Sequence, residues 1–139
     1  LPYFLEKTNF HGECYMTRPT RAIYKLILAD YVKVSYSKSE EALFKEQDLK
    51  NSVDKIKTID YHQEIEYKGI KFCAFIAGHV LGAAMFLVEI SGINILYTGD
   101  FSREIDRHLQ PAEIPDKEIN VLIIESTFGI NQQENRDER

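Results

Sequence analysis

Residues 64–100 read EIEYKGIKFCAFIAGHVLGAAMFLVEISGINILYTGD, and two dipeptides inside this stretch decide the fold. Lys68-Gly69 and Ser91-Gly92 each separate two strand-like runs by two residues, the spacing of a tight hairpin in which glycine takes the left-handed backbone. Before the first pair, Ile65 and Tyr67 alternate with Glu64 and Glu66, and residues 70–76 follow it. Residues 83–90 and 93–97 flank the second pair and are apolar at successive positions, which predicts strands covered on both faces. The four strands form a meander. A further apolar run, residues 121–124, comes after a long loop and ends at Glu125.

Upstream, the apolar period lengthens to that of a helix. Ile23, Leu26, Ile27, Tyr31 and Val34 recur at helical intervals over residues 20–34, with Thr17 and Thr20 as candidate caps and Pro19 suited to a first turn. The spacing predicts a helix buried on that face. A second helix is predicted over residues 48–56, with Asp48 as cap and Leu49, Val53 and Ile56 on one side. Two helices, four strands, a loop and a last strand make an α/β chain, a mixed sheet with helices packed on it. Residues 131–139, NQQENRDER, carry no apolar side chain and read as a polar tail, a truncated helix, after a structured portion over residues 1–130.

The chain has 139 residues, 44% hydrophobic and 28% charged, which suits one folded unit and excludes a disordered chain. A net charge of -5 supplies none of the phosphate attraction of a basic binding domain, so a stand-alone grip on nucleic acid is not expected. The longest unbroken apolar or glycine run, residues 80–88, is about half of what a membrane-spanning helix needs, and no membrane partner is expected. The first residues lead straight into Glu6 and Lys7, without the basic leader and apolar stretch of a signal peptide. Cys14 and Cys73 form no C-x-x-C pair and read as free thiols of a reducing compartment.

The meander has a chemical consequence. Strands ending near Ala77 and Tyr97 run the same way, so their C-terminal ends share one edge of the sheet. His79 follows the first end and Asp100 the other, each preceded by a glycine, Gly78 or Gly99, that lets backbone approach an ion closely. An imidazole and a carboxylate brought together this way form a candidate metal pair. Glu125 leaves a third strand, and a carboxylate there is either at the rim or held by a partner. Singly, each residue also fits an ordinary solvated turn. His11 and His62 read as surface residues, Asp106-Arg107-His108 as a turn, and Arg18, Arg21 and Lys25 as a wet helix face.

Longer strings carry a resemblance. MTRPTRAIYKLILADYVKV (residues 16–34), AGHVLGAAMF (77–86), LYTGDFSR (96–103), DRHL (106–109) and LIIESTFG (122–129) resemble the metallo-β-lactamase-fold nucleases of the β-CASP family, in particular its pre-mRNA 3′-end endonucleases. The resemblance covers essentially the whole chain and implies part of an αββα sandwich. It implies that His79 is a ligand of one zinc, that Asp100 bridges two zincs, and that Glu125 is the catalytic-site acid orienting a later histidine. The implied reaction is phosphodiester hydrolysis with two Zn2+, in the nucleus. The implied partners are pre-mRNA and other subunits of a cleavage and polyadenylation complex, among them a related inactive paralogue and a symplekin-like scaffold. An Integrator-type RNA endonuclease and a non-catalytic scaffold paralogue are the alternatives.

The departures from the family pattern matter equally. The H-x-H-x-D-H motif, the β-CASP cap and two later histidine motifs have no counterpart in these residues. Arg18 stands where relatives usually have His in M-T-H-x-T, and Phe128 where many have Tyr. With two of the three or four protein ligands that a zinc site needs, the 139-residue chain is expected to be the central portion of a larger domain, metal-free and inactive by itself.

Overall fold

The computed structural model describes residues 1–37, 43–127 and 129. In chain order the elements are α1 (Pro2–Lys7), β1 (Cys14–Thr17), α2 (Arg18–Ser37), α3 (Glu46–Lys55), β2 (Ile56–Ile59), β3 (Glu64–Tyr67), β4 (Ile70–Ile76), β5 (Ala84–Ile90), β6 (Ile93–Tyr97) and β7 (Val121–Ile123). The predicted α/β architecture is present, with three elements, α1, β1 and β2, that the sequence pattern does not announce.

Both hairpins form at the expected dipeptides. Lys68 and Gly69 have φ of 51° and 78°, and Ser91 and Gly92 have 51° and 79°, the paired left-handed conformations that match strand twist. The larger sheet runs β3-β4-β5-β6-β7. It is antiparallel up to β6, and β7 then pairs parallel to β6, with Ile95 opposite Val121 and Tyr97 opposite Ile123. The sheet is therefore mixed. The crossover that parallel pairing requires is pinned at its far end by Asn94, whose N–H donates to Asn120 Oδ1 at 2.8 Å and whose Nδ2 donates to the Glu118 carbonyl at 2.8 Å. β1 and β2 form a separate parallel pair, and Tyr15 on β1 meets Phe72 on β4 edge to face.

One apolar cluster, Ala77, Met85, Leu87 and Leu96, is covered by Phe101, Ala112 and Ile119 from the crossover. The expectation that the strands are covered on both faces does not hold within this chain. Ile93 and Tyr97 on β6 are about half exposed, at 49% and 51%, and all three residues of β7 are exposed.

The helix α2 starts as predicted, with Thr17 Oγ1 accepting the Thr20 N–H at 3.4 Å. Its buried face is a different one. Val32, with Tyr24, Leu28 and Ala29, packs on Phe44, Leu49 and Val53, whereas the predicted face is exposed, with Leu26 at 72% and Ile27 at 59%. The cause is that residues 24, 28 and 32 also recur every four positions, so the helix is apolar on two sides and α3 covers only one. In α3, Asp48 is not the cap but the third helical residue. Its carboxylate reaches back to the Lys45 N–H at 2.9 Å and pairs with Lys7 Nζ at 2.8 Å. Ile56 opens β2 rather than ending the helix. Phe128 and residues 131–139 lie outside the described residues.

Candidate metal centre

Strand direction gathers three chain ends. β4 and β6 both run antiparallel to β5, and β7 runs parallel to β6, so all three leave the sheet at one edge. His79 comes just after β4, Asp100 just after β6 and Glu125 just after β7. The first two converge: His79 Nε2 stands 3.8 Å from Asp100 Oδ2. Both line a cleft of about 460 Å3 whose wall includes Thr17, Thr20, Phe86 and Tyr97.

The turn that carries His79 is held against its own strain. Gly78 and His79 have φ of 66° and 59°, and a non-glycine residue there costs roughly 1–3 kcal/mol unless its surroundings fix it. They do so from three directions. The hydroxyls of Thr17 and Thr20 reach the Gly82 carbonyl at 2.7 and 3.0 Å. The Tyr61 hydroxyl donates to the Ala83 carbonyl at 2.9 Å, and the Ser102 N–H donates to the Ala77 carbonyl at 2.9 Å. A Cβ on Gly82 would stand 2.9 Å from Pro19 Cβ, so the turn and the start of α2 are in direct contact. The sequence reading assigns Thr17 and Thr20 to capping alone and does not single out Tyr61 or Ser102. Their partners lie more than twenty residues away, and local spacing carries no signal of them.

Glu125 is anchored differently. Its N–H donates to the buried Thr98 hydroxyl at 3.4 Å, and its carboxylate accepts the Thr127 N–H at 2.6 Å. Hydrogen bonds from the Thr127 side chain and N–H, then from the Phe101 N–H, with a smaller contribution from nearby His79, hold the carboxyl below the ordinary glutamate range. Glu125 thus shares the electrostatics of the pair while its Oε2 is already engaged by Thr127.

The donor chemistry fits a metal ion. Imidazole nitrogen and carboxylate oxygen bind zinc at about 2.0–2.2 Å, so two such ligands on one tetrahedral ion stand about 3.3–3.6 Å apart. The 3.8 Å separation of His79 and Asp100 is a few tenths of an ångström wider. The pair can supply two ligands of one ion. Among the described residues, no group of three or more His, Cys, Asp or Glu side chains is placed to hold one.

The other singled-out residues lie elsewhere. His11 is exposed. His62 is 58% exposed at its side chain, yet its Nε2 lies 2.6 Å from Glu113 Oε2. Residues 106–109 close a turn through the Asp106 N–H and the Leu109 carbonyl. Arg18 places its guanidinium on Asp60, at 3.1 and 3.3 Å, and Arg21 donates to the Val53 carbonyl at 2.9 Å, so both cations are engaged by the protein itself. Cys14 and Cys73 are free.

Residues 1–128 match the metallo-beta-lactamase superfamily domain. The chain belongs to the metallo-beta-lactamase superfamily. Metal ions are the cofactors that this superfamily implies, in line with the donor pair just described. The chain is 55% identical to cleavage and polyadenylation specificity factor 73 of Drosophila melanogaster over 139 residues, all of this chain and 20% of that protein. It is 59% identical to cleavage and polyadenylation specificity factor subunit 3-I of Arabidopsis thaliana over 136 residues, 98% of this chain and 20% of that protein. Endoribonuclease YSH1 of Saccharomyces cerevisiae is 53% identical over 144 aligned residues, 98% of this chain and 18% of that protein. The resemblance carried by the sequence strings is therefore shown. The chain spans about a fifth of the length of these curated relatives.

Proposed function

We propose that this chain is the central portion of the metallo-beta-lactamase domain of a zinc-dependent endoribonuclease that cleaves pre-mRNA before polyadenylation, in the nucleus. The observation that carries the reading is the 3.8 Å approach of His79 and Asp100 at a shared sheet edge, within a chain more than half identical to a protein named an endoribonuclease. Its partners on this reading are pre-mRNA and the other subunits of a cleavage and polyadenylation complex, including an inactive paralogue and a symplekin-like scaffold. The relatives named as cleavage and polyadenylation factors support that setting.

His79 would hold one metal ion through Nε2, and Asp100, with two carboxylate oxygens, is suited to bridge two. Bound there, zinc supplies Lewis acidity, which lowers the pKa of water and stabilises charge on phosphoryl oxygens. The residues of the chain orient and retain. The bonds to Gly82, Ala83 and Ala77 hold the turn that carries His79. Glu125, kept ionised, can accept a hydrogen bond but not give a proton at neutral pH, which suits a residue that orients a histidine rather than one that protonates the leaving oxygen.

Bound zinc and RNA cleavage, measured in the full-length parent and in its Asp100→Ala variant, test the reading. Loss of zinc with at least about a 100-fold slower cleavage is expected. Unchanged zinc content and rate would overturn it.

A further inference from the structure

β3 covers β4 only as far as Cys73, where it pairs with Glu64. Beyond that point Tyr61 forms a single parallel bridge to Ala74, and the outward N–H and carbonyl of Ile76 are left without a strand partner. Two segments, the turn before β3 and the crossover, complete the edge. The His62 N–H donates to the Ala74 carbonyl at 2.8 Å. Glu113 then takes both free groups of Ile76: its N–H donates to the Ile76 carbonyl at 3.0 Å, and its carboxylate Oε2 accepts the Ile76 N–H at 3.4 Å. The same Oε2 is 2.6 Å from His62 Nε2, and the His62 ring stands edge to face on Phe75. His62 itself sits in the left-handed backbone region, at φ 62°.

This clasp sits at the base of the turn that carries the candidate ligand. Ile76 is three residues before His79. The segment that presents Glu113 also runs under Gly78: the Ala112 N–H donates to the Ser102 carbonyl at 2.8 Å, and the Ser102 N–H donates to Ala77. A Cβ on Gly78 would meet Ser102 O at 2.7 Å and Ala112 N at 3.3 Å. Glu113 thus bonds to Ile76 on the approach to Gly78, and its neighbour Ala112 stands beside Gly78 itself.

We propose that Glu113 is a positioning residue for the metal site: bridged to His62, it caps the open end of β4 at Ile76 and sets the direction in which His79 faces Asp100. The proposal rests on the metal-site reading above. Neither residue reaches the cleft. Their effect is on the geometry of His79 and not on RNA contact.

The test uses the full-length parent and its variants Glu113→Ala, Glu113→Gln, His62→Ala and His79→Ala. Zinc affinity by chelator competition, kcat and KM for RNA, and the melting temperature of the metal-stripped protein are read for each. Glu113→Ala is expected to weaken zinc binding about 10-fold, the scale seen when a group supporting a metal ligand is removed, and to lower kcat with KM within about two-fold. Glu113→Gln keeps an acceptor for the Ile76 N–H and is expected to recover affinity to within about three-fold. Zinc affinity within about two-fold of the parent in Glu113→Ala would overturn the proposal. So would a Gln variant as weak as the Ala variant with the same fall in melting temperature. If Glu113→Ala does not fold, His62→Ala decides: weaker zinc binding at an unchanged melting temperature supports the clasp, and unchanged binding overturns it. Unchanged zinc content in His79→Ala would instead bring down the underlying metal-site reading. Loss of zinc there, with none in Glu113→Ala, would remove the positioning role alone.

Discussion

The carbonyl oxygen of Ser102 lies 2.7 Å from the point where a Cβ on Gly78 would stand, nearer than real Cβ contacts come. Gly78 also has φ +66°, so a side chain there meets both a steric wall of backbone and an unfavourable dihedral. Gly78→Ala is expected to cost at least about 2 kcal/mol in urea unfolding. Gly69 is the control, because it has φ +78° with nothing within 4 Å of an added Cβ. Gly69→Ala carries the dihedral cost alone, about 1 kcal/mol. Equal losses at the two positions would mean that the Ser102 contact gives way freely.

Thr17 is 4% exposed, and its hydroxyl meets the Gly82 carbonyl at 2.7 Å. Thr17→Val keeps the shape and removes the donor, leaving a buried carbonyl to rely on Thr20 alone. A loss of about 1–3 kcal/mol is expected in denaturant unfolding, with most of it restored in Thr17→Ser. A Ser variant as unstable as the Val variant would assign the effect to the methyl group instead.

Legibility followed the range of the interactions. The hairpins at Lys68-Gly69 and Ser91-Gly92 could be read because a two-residue turn writes its demand for left-handed backbone into two adjacent positions. β1 and β2 could not, since each has four residues and its pairing joins Cys14 to Ile56 across the intervening helices. At the site, His79 and Asp100 stood out through the glycines before them at strand ends. The supports of His79 did not, because Thr17, Tyr61, Ser102 and Glu113 act from four separate places in the chain. The buried face of α2 is illegible for a third reason: its apolar residues form two sets, and hydrophobic spacing cannot say which set a neighbour covers.

The two apolar faces of α2 allow a direct comparison. Val32 is 3% exposed against Phe44 and Leu49, whereas Leu26, on the same helix, is 72% exposed. Val32→Ala is expected to destabilise the chain by about 1–3 kcal/mol and Leu26→Ala by no more than about 0.5 kcal/mol. Urea unfolding of the two variants separates the faces. The reverse order would restore the face predicted from spacing.

Glu125 offers a check by titration. The Thr127 hydroxyl and N–H hold its carboxyl below the ordinary value of about 4.3. A group lowered on folding adds stability that is fully present above its unfolded value and is lost as pH falls through the folded one. The contribution of Glu125 should therefore persist at neutral pH and fade below about pH 4. Carbon-detected NMR of the side-chain carboxyl in the metal-free chain should give a midpoint below about 4.3, and Thr127→Val should move it upward. His79→Ala should move it less, because the Thr127 bonds are the largest influence on the carboxyl and His79 the smallest. A midpoint at or above the ordinary glutamate value would show a carboxyl free of the Thr127 bonds and would remove the anchoring drawn from them.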